Sequence, residues 1–241
     1  MNNPYISTYL TSSVRILPRE MDNNIKKYIK INLEKNHTNK CFQDYGYIVK
    51  IHETEIISDG VITPEDPMCC AIYNVKFLCT LCRPINNTYI VAQIHGLTEK
   101  LIILTAGPLN IIIKPVNSMN KDIFMYNQNL SSWIAKKNTK SDDKQNKFII
   151  LKKGTYVKVK ITSKKIIDKS SEIICFGFIE DLANNVEIET YIRNTYEPKK
   201  YDMIDDFINL EKKIQQELLD NGNTTSSNNE TENSVDIEND M

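Results

Sequence analysis

Glycine is scarce in this chain, 7 of 241 residues. Neither G-x-G-x-x-G nor G-x-x-x-x-G-K-[ST] occurs, which excludes the two common glycine loops that wrap nucleotide phosphates. Histidine is almost as rare: His37, His52 and His95. None has a serine, cysteine or paired carboxylate at a spacing that a nucleophilic triad uses. Asp142-Asp143 and Asp205-Asp206 lie in polar surroundings and read as surface charge, unlike the carboxylates of a two-metal site. No apolar run approaches the roughly 18 residues of a membrane helix. The opening residues, MNNPYISTYLTSS, have no basic n-region and no apolar h-region, so neither secretion nor membrane contact is expected. Cys41, Cys69, Cys70, Cys79, Cys82 and Cys175 are then expected as reduced intracellular thiols. An excess of either charge is missing too. With 30 basic and 31 acidic residues the formal net charge is -1. That excludes nucleic-acid binding by the surface as a whole, though not by a local basic face.

What is present is periodic. Residues 8–17 predict a strand with Leu10, Val14 and Ile16 on one face, stopped by Pro18. Met21, Ile25, Ile29 and Leu33 then recur every four residues, with Lys26, Lys27 and Lys30 facing away, which predicts an amphipathic helix from Arg19 to Glu34. Three strands follow. Tyr47-Ile48-Val49-Lys50-Ile51 alternates, with Tyr47, Val49 and Ile51 on one face. Gly60-Val61-Ile62-Thr63-Pro64 is short and is closed by Pro64 and Pro67. Ala71 to Leu81 is long, and Pro84 ends it. Strand, helix and three strands predict an α+β unit over 1–84.

A second unit is expected over 85–182. Thr88–Gly96, Leu101–Leu104 and Leu109–Lys114 are strand-like, with Ala106-Gly107-Pro108 as a turn. Tyr156–Ile167 alternates and pairs with Glu172–Ile179 through the turn Asp168–Ser171. Five strands, interrupted at about 116–147 by an insertion read as irregular, predict a small β-barrel. The insertion holds the single tryptophan, Trp133, and a polar loop, Lys136–Lys147. Beyond the barrel, 183–220 is expected as a helical extension whose helix runs Asp202–Asn221 and ends at Gly222. Its apolar stripe predicts docking on a partner. The tail, 221–241, has five acids (Glu230, Glu232, Asp236, Glu238, Asp240) and no lysine or arginine, and is expected to be disordered.

Two features could carry chemistry. Cys79-Thr80-Leu81-Cys82 has the spacing of a redox pair or of half a zinc site. A second ligand pair at finger spacing is missing, and the motif ends a strand rather than opening a helix. Buried structural thiols are the favoured reading, and no metal or other cofactor is expected. The second feature is a run of lysines among apolar barrel residues: Lys147, Lys152, Lys153, Lys158, Lys160, Lys164 and Lys165, near Tyr89 and Tyr156. Such a face could follow an RNA backbone, with tyrosines for base stacking. An ordinary solvated β-face reads the same way.

The layout from Tyr45 to Pro84 adds a more specific signal. Gly46-Tyr47-Ile48, then Gly60-Val61-Ile62-x-Pro64, then Tyr73-x-Val75-x-Phe77, then Arg83-Pro84 resembles the N-terminal tip domain of the stalk subunit of multisubunit RNA polymerases, the family of the seventh subunit of RNA polymerase II and its archaeal counterpart. Ala106-Gly107-Pro108-Leu109 and Lys152-Lys153-Gly154 resemble turns of the S1-like OB barrel that follows in that family. The isoleucine, asparagine and lysine bias fits a version from a giant DNA virus. The resemblance implies an accessory, non-catalytic subunit of a DNA-directed RNA polymerase. Gly46, Gly60, Val61, Ile62, Pro64, Tyr73, Val75 and Phe77 would dock on the large core subunits, and a small helical partner accompanies some family members. Tyr89, Lys153, Tyr156, Lys158 and Lys160 would touch nascent RNA. Leu101 and Ile103 stand where S1 domains usually carry a glycine and an aromatic, so this contact is expected to be weak and sequence-tolerant. The implied location is a virus factory or virion for a viral protein, the nucleus for a cellular one. Two alternatives stand beside this reading: a free-standing S1/OB RNA-binding protein of translation or RNA decay, and a thiol or zinc enzyme acting through Cys79 and Cys82.

Overall fold

The structure, a computed structural model, describes residues 3–137, 147–196 and 198–224. Most of the acidic tail expected at 221–241, and the middle of the polar loop expected at Lys136–Lys147, lie outside the described residues. The fold is α+β and mostly strands.

The first sheet is built on β1 (Tyr5–Ile16), which pairs along its whole length with β5 (Ala71–Cys82). Leu10, Val14 and Ile16 are buried on one face of β1, as their alternation requires. Helix α1 (Ile25–His37) packs on this sheet through Ile29 and Leu33. On the other side of β5 lie β3 (Gly46–Ile56) and, beyond it, β2 (Lys40–Phe42). The two-residue strand β4 (Val61–Ile62) pairs with the start of β5.

The second sheet closes on itself. Strands β6 (Tyr89–Leu97), β7 (Ile102–Ala106), β8 (Leu109–Ile113), β12 (Tyr156–Lys165) and β13 (Ile173–Leu182) form a closed barrel in the order β12-β13-β8-β7-β6. Its third and fifth strands, β8 and β13, pair in parallel; the other joints are antiparallel. Gly107 and Pro108 alone connect β7 to β8, with Gly107 at φ +62°, a conformation that glycine adopts without penalty.

The segment read as irregular has structure. After a short turn of helix, α2 (Pro115–Ser118), the strands β9 (Phe124–Asn127), β10 (Ser132–Lys137) and β11 (Lys147–Ile150) form a three-stranded antiparallel sheet. Phe124, Trp133 and Ala135 point into the core that fills the barrel, and the Trp133 indole N–H donates to the Thr98 carbonyl at 3.0 Å.

The extension also differs from the single helix that the sequence predicted. Helix α3 (Asn185–Tyr196) packs against β6, and β14 (Lys199–Met203) runs parallel to β1 and covers part of its edge. From Asp205 onward the chain forms a unit of its own, consisting of helix α4 (Ile204–Thr224) in the described residues. No helix of the described residues is long and apolar enough to cross a membrane.

Candidate docking and nucleic-acid surfaces

The sheet and the barrel share one seam. The Cys41 backbone N–H donates to Ser170 O at 2.8 Å, and the Lys169 N–H donates back to Cys41 O at 2.9 Å. Gln43 N–H reaches the Asp168 carboxylate at 2.9 Å, and the Lys164 ammonium donates to Pro84 O at 2.7 Å. Tyr5, Cys41 and Cys82 belong to the same buried cluster as the barrel residues Ile111, Val159 and Cys175. The barrel is therefore held at a fixed place on the sheet by main-chain bonds and by shared apolar burial.

The residues expected to dock on a polymerase divide into two sets. Val75 and Phe77 are fully buried, and Phe77 stacks with His37 and meets Phe42 edge-on. Gly46 is buried where β3 begins, paired with Phe42. These three build the sheet and offer nothing to a partner. Val61 and Ile62 face outward, 58% and 52% exposed. Pro64 follows them in the turn, and the ring of Tyr73 lies against Gly60, where a Cβ would come within 2.7 Å of the ring carbon Cε2. Ile57 and Met68, which sequence reasoning did not single out, are exposed beside them in sequence. Arg15 on β1 donates to Asp66 at 2.6 Å and ties this loop back to the sheet. The result is an apolar tip, held by a short strand, a glycine–tyrosine contact and one ion pair.

The residues expected to touch RNA are brought together, but they are already engaged. Lys160 pairs with Tyr89 and Lys158 with Val91 across β12 and β6. The Lys158 ammonium sits 5.0 Å from the centre of the Tyr89 ring, and that of Lys160 sits 6.0 Å from it. Lys158 also lies 3.8 Å from the Glu187 carboxylate on α3. Tyr156 begins β12 opposite Gln93, partly covered, and Lys153 is exposed in the preceding turn. Part of the positive charge on this face is thus neutralised from within. That helix, α3, differs from the expectation for the extension, which placed its helix only from Asp202 onward.

The cysteines are placed as structural thiols. Cys79 and Cys82 lie at the end of β5, between β1 and β3, and both are fully buried. The Cys79 thiol donates to Thr8 O at 3.6 Å. Burial pushes Cys79 up to about 12, and it raises Cys82 well above the ordinary thiol value, with the neighbouring Cys175 and Cys41 adding to the effect. A reactive or metal-binding cysteine needs the opposite shift. Among the described residues no group of three or more histidine, cysteine or acidic side chains is placed to hold a metal. His52 Nε2 lies 2.8 Å from the Thr80 hydroxyl and His37 Nε2 lies 3.0 Å from the Ser12 hydroxyl; no carboxylate is bonded to either ring among the described contacts.

Residues 12–67, which run from β1 through β4, match the family model described as the SHS2 domain found in the N terminus of Rpb7p, Rpc25p and MJ0397. Over 187 residues, 78% of this chain and 87% of the relative, the chain is 29% identical to a protein of Acanthamoeba polyphaga mimivirus named "Putative DNA-directed RNA polymerase subunit L376". Residues 12–67 are thus similar to the N-terminal domain of Rpb7p, Rpc25p and MJ0397, and most of the chain is similar to a giant-virus protein.

Proposed function

We propose that this protein is a stalk subunit of a DNA-directed RNA polymerase that docks on the large core subunits through 1–84 and holds the barrel of 85–182 near emerging RNA. Its role is binding and positioning, with the bond-making chemistry left to the large subunits. The observation that carries the reading is the outward-facing pair Val61 and Ile62, at the tip of the very segment that matches the family model. Two large apolar side chains held on a two-residue strand are costly to leave in water, and covering their exposed half recovers about half of the roughly 1.5–3 kcal/mol that full burial of each is worth. The barrel supports the S1-like part of the reading: five strands closed by parallel pairing of the third and fifth are the arrangement of OB-type oligonucleotide binders.

On this reading the large core subunits are the main partners, and nascent RNA is touched weakly and without sequence preference. The extension 183–220 and the acidic tail 221–241 have no assigned contact with the polymerase. The protein would act where viral transcripts are made, in a virus factory or virion.

Affinity purification of the full chain from cells that express it, followed by mass spectrometry, tests the proposal. The two largest polymerase subunits are expected in stoichiometric amount. The variant Val61→Asp with Ile62→Asp should fold normally, because both positions are exposed, and should lose those subunits. Retention of the polymerase by the variant would move the docking surface elsewhere, and absence of polymerase from the wild-type preparation would overturn the function.

A further inference from the structure

The outer face of the three-stranded sheet β9–β10–β11 has no role in the docking surface or on the lysine face of the barrel. Its inner face is committed to the core through Phe124, Trp133 and Ala135. Alternation therefore turns Met125, Ile134, Lys136, Phe148 and Ile150 outward. The register places Ile134 opposite both Met125 and Ile150, and Lys136 opposite Phe148. Phe148 is 53% exposed, and Met125 and Ile150 are exposed with it. Between them lies an open cavity of about 520 Å³, whose lining includes Met125, Phe148 and the amide-bearing residues Asn127, Gln128 and Asn129.

We propose that this sheet face is a binding platform for single-stranded RNA, with Phe148 as the stacking surface for one base. The proposal rests on the stalk-subunit reading, and it locates the RNA contact on the inserted sheet rather than at Tyr89, Lys158 and Lys160. Three observations choose RNA over a protein partner. First, an exposed aromatic on an antiparallel sheet is how several RNA-binding modules hold unpaired bases. Second, Lys136 stands directly across the ladder from Phe148, so the face carries a cation beside its aromatic, the pairing that a stacked base and its phosphate call for. Third, among the described residues no carboxylate lines the cavity, and its polar side is made of amides, which both donate to and accept from base edges.

The barrel face offers less. There Tyr89 already carries two ammonium groups, and Glu187 draws one of them. Positions Leu101 and Ile103 supply no aromatic.

The test is fluorescence anisotropy of the purified full chain with a labelled single-stranded oligouridine and a mixed-sequence RNA at low and moderate salt. Phe148→Ala should weaken both RNAs by about 5- to 150-fold, the loss of one stacked base. Phe148→Trp should restore binding, and both variants should melt with the wild type because the side chain is already exposed. Lys136→Gln should weaken binding and lower the salt dependence by about one phosphate contact. RNA binding that ignores Phe148 but falls on charge reversal of Lys158 and Lys160 would overturn the platform while leaving the stalk reading intact. No RNA binding by the wild type would overturn it as well. Loss of co-purifying polymerase from Phe148→Ala, with RNA binding unchanged, would show that the face docks protein.

Discussion

The hydroxyl of Tyr5 occupies the space that a Cβ on Gly107 would need. One residue belongs to the first strand of the sheet and the other to the β7–β8 turn of the barrel, so this contact adds to the seam that joins the two parts. Gly107 meets two demands at once: the left-handed φ of +62° and the absence of a side chain. Gly107→Ala is expected to cost about 1–3 kcal/mol, read from urea unfolding. Part of the loss should return in the background Tyr5→Phe, which makes room at the hydroxyl, and the double-mutant cycle isolates the coupling. Additive effects would show that the backbone conformation alone requires the glycine.

Gly60 is held in place by a different requirement. Its φ is ordinary, but the ring of Tyr73 covers it. Gly60→Val should displace that ring and disorder β4, lowering affinity for the polymerase with only a small change in global stability. The combination with Tyr73→Ala should behave like Tyr73→Ala alone, since the clash is then gone. Hydrogen exchange at Val61 and Ile62 would report the local change.

The buried thiols give a pH signature. Cys79 and Cys175 are pushed up to about 12 by desolvation, from an ordinary value of 9.0. Above 9 the unfolded chain has begun to lose these protons while the folded chain still holds them. The unfolded state then binds fewer protons, so stability falls as pH rises between about 9 and 12, by up to about 1.4 kcal/mol per pH unit for each group. Below that window the contribution is fully present. Cys79→Ala should flatten the slope of urea midpoints above pH ~9; an unchanged slope would mean that the thiol ionises in the folded protein. In the native state at neutral pH, exposed Cys69 should react with a thiol reagent well before Cys79 or Cys82.

Strand β14 protects an edge. It pairs with β1 from Ile6 to Tyr9 in parallel register, with Ser7 opposite Lys200. Lys200→Pro removes an N–H and disfavours the pairing. The expected outcome is a loss of about 1–3 kcal/mol and self-association at high concentration, seen by light scattering. A variant that stays monodisperse and equally stable would show that the edge needs no cover.

Much of this architecture could be read from side-chain alternation. Leu10, Val14 and Ile16 gave the face of β1; Ile29 and Leu33 gave that of α1; Val157, Val159 and Ile161 gave the barrel side of β12. Each of these elements buries one face against the core and therefore writes its period into the sequence. Strand β14 does not. Lys199, Lys200, Tyr201, Asp202 and Met203 carry no apolar alternation, and the strand exists because the edge of β1 supplies main-chain partners. The inserted sheet was obscured for another reason. Trp133 and Ala135 alternate correctly, but Met125, Phe148 and Ile150 place apolar residues on the outer face as well, which blurs the period. At the tip, the motif did not distinguish Val75 and Phe77, which hold the sheet together, from Val61 and Ile62, which are left uncovered.

The pairing of Ile6 with Lys199 has a consequence for synthesis on the ribosome. Strand β1 emerges well before β14, yet among the described residues its outer edge has no partner strand until 199–203 has been translated. During that interval the nascent protein carries an open β-edge beside a sheet that is otherwise able to form. Contacts so distant in sequence form late and slow folding, and unpaired edges invite association with other chains. Prematurely terminated products lacking 199–203 should therefore be captured by chaperones or aggregate.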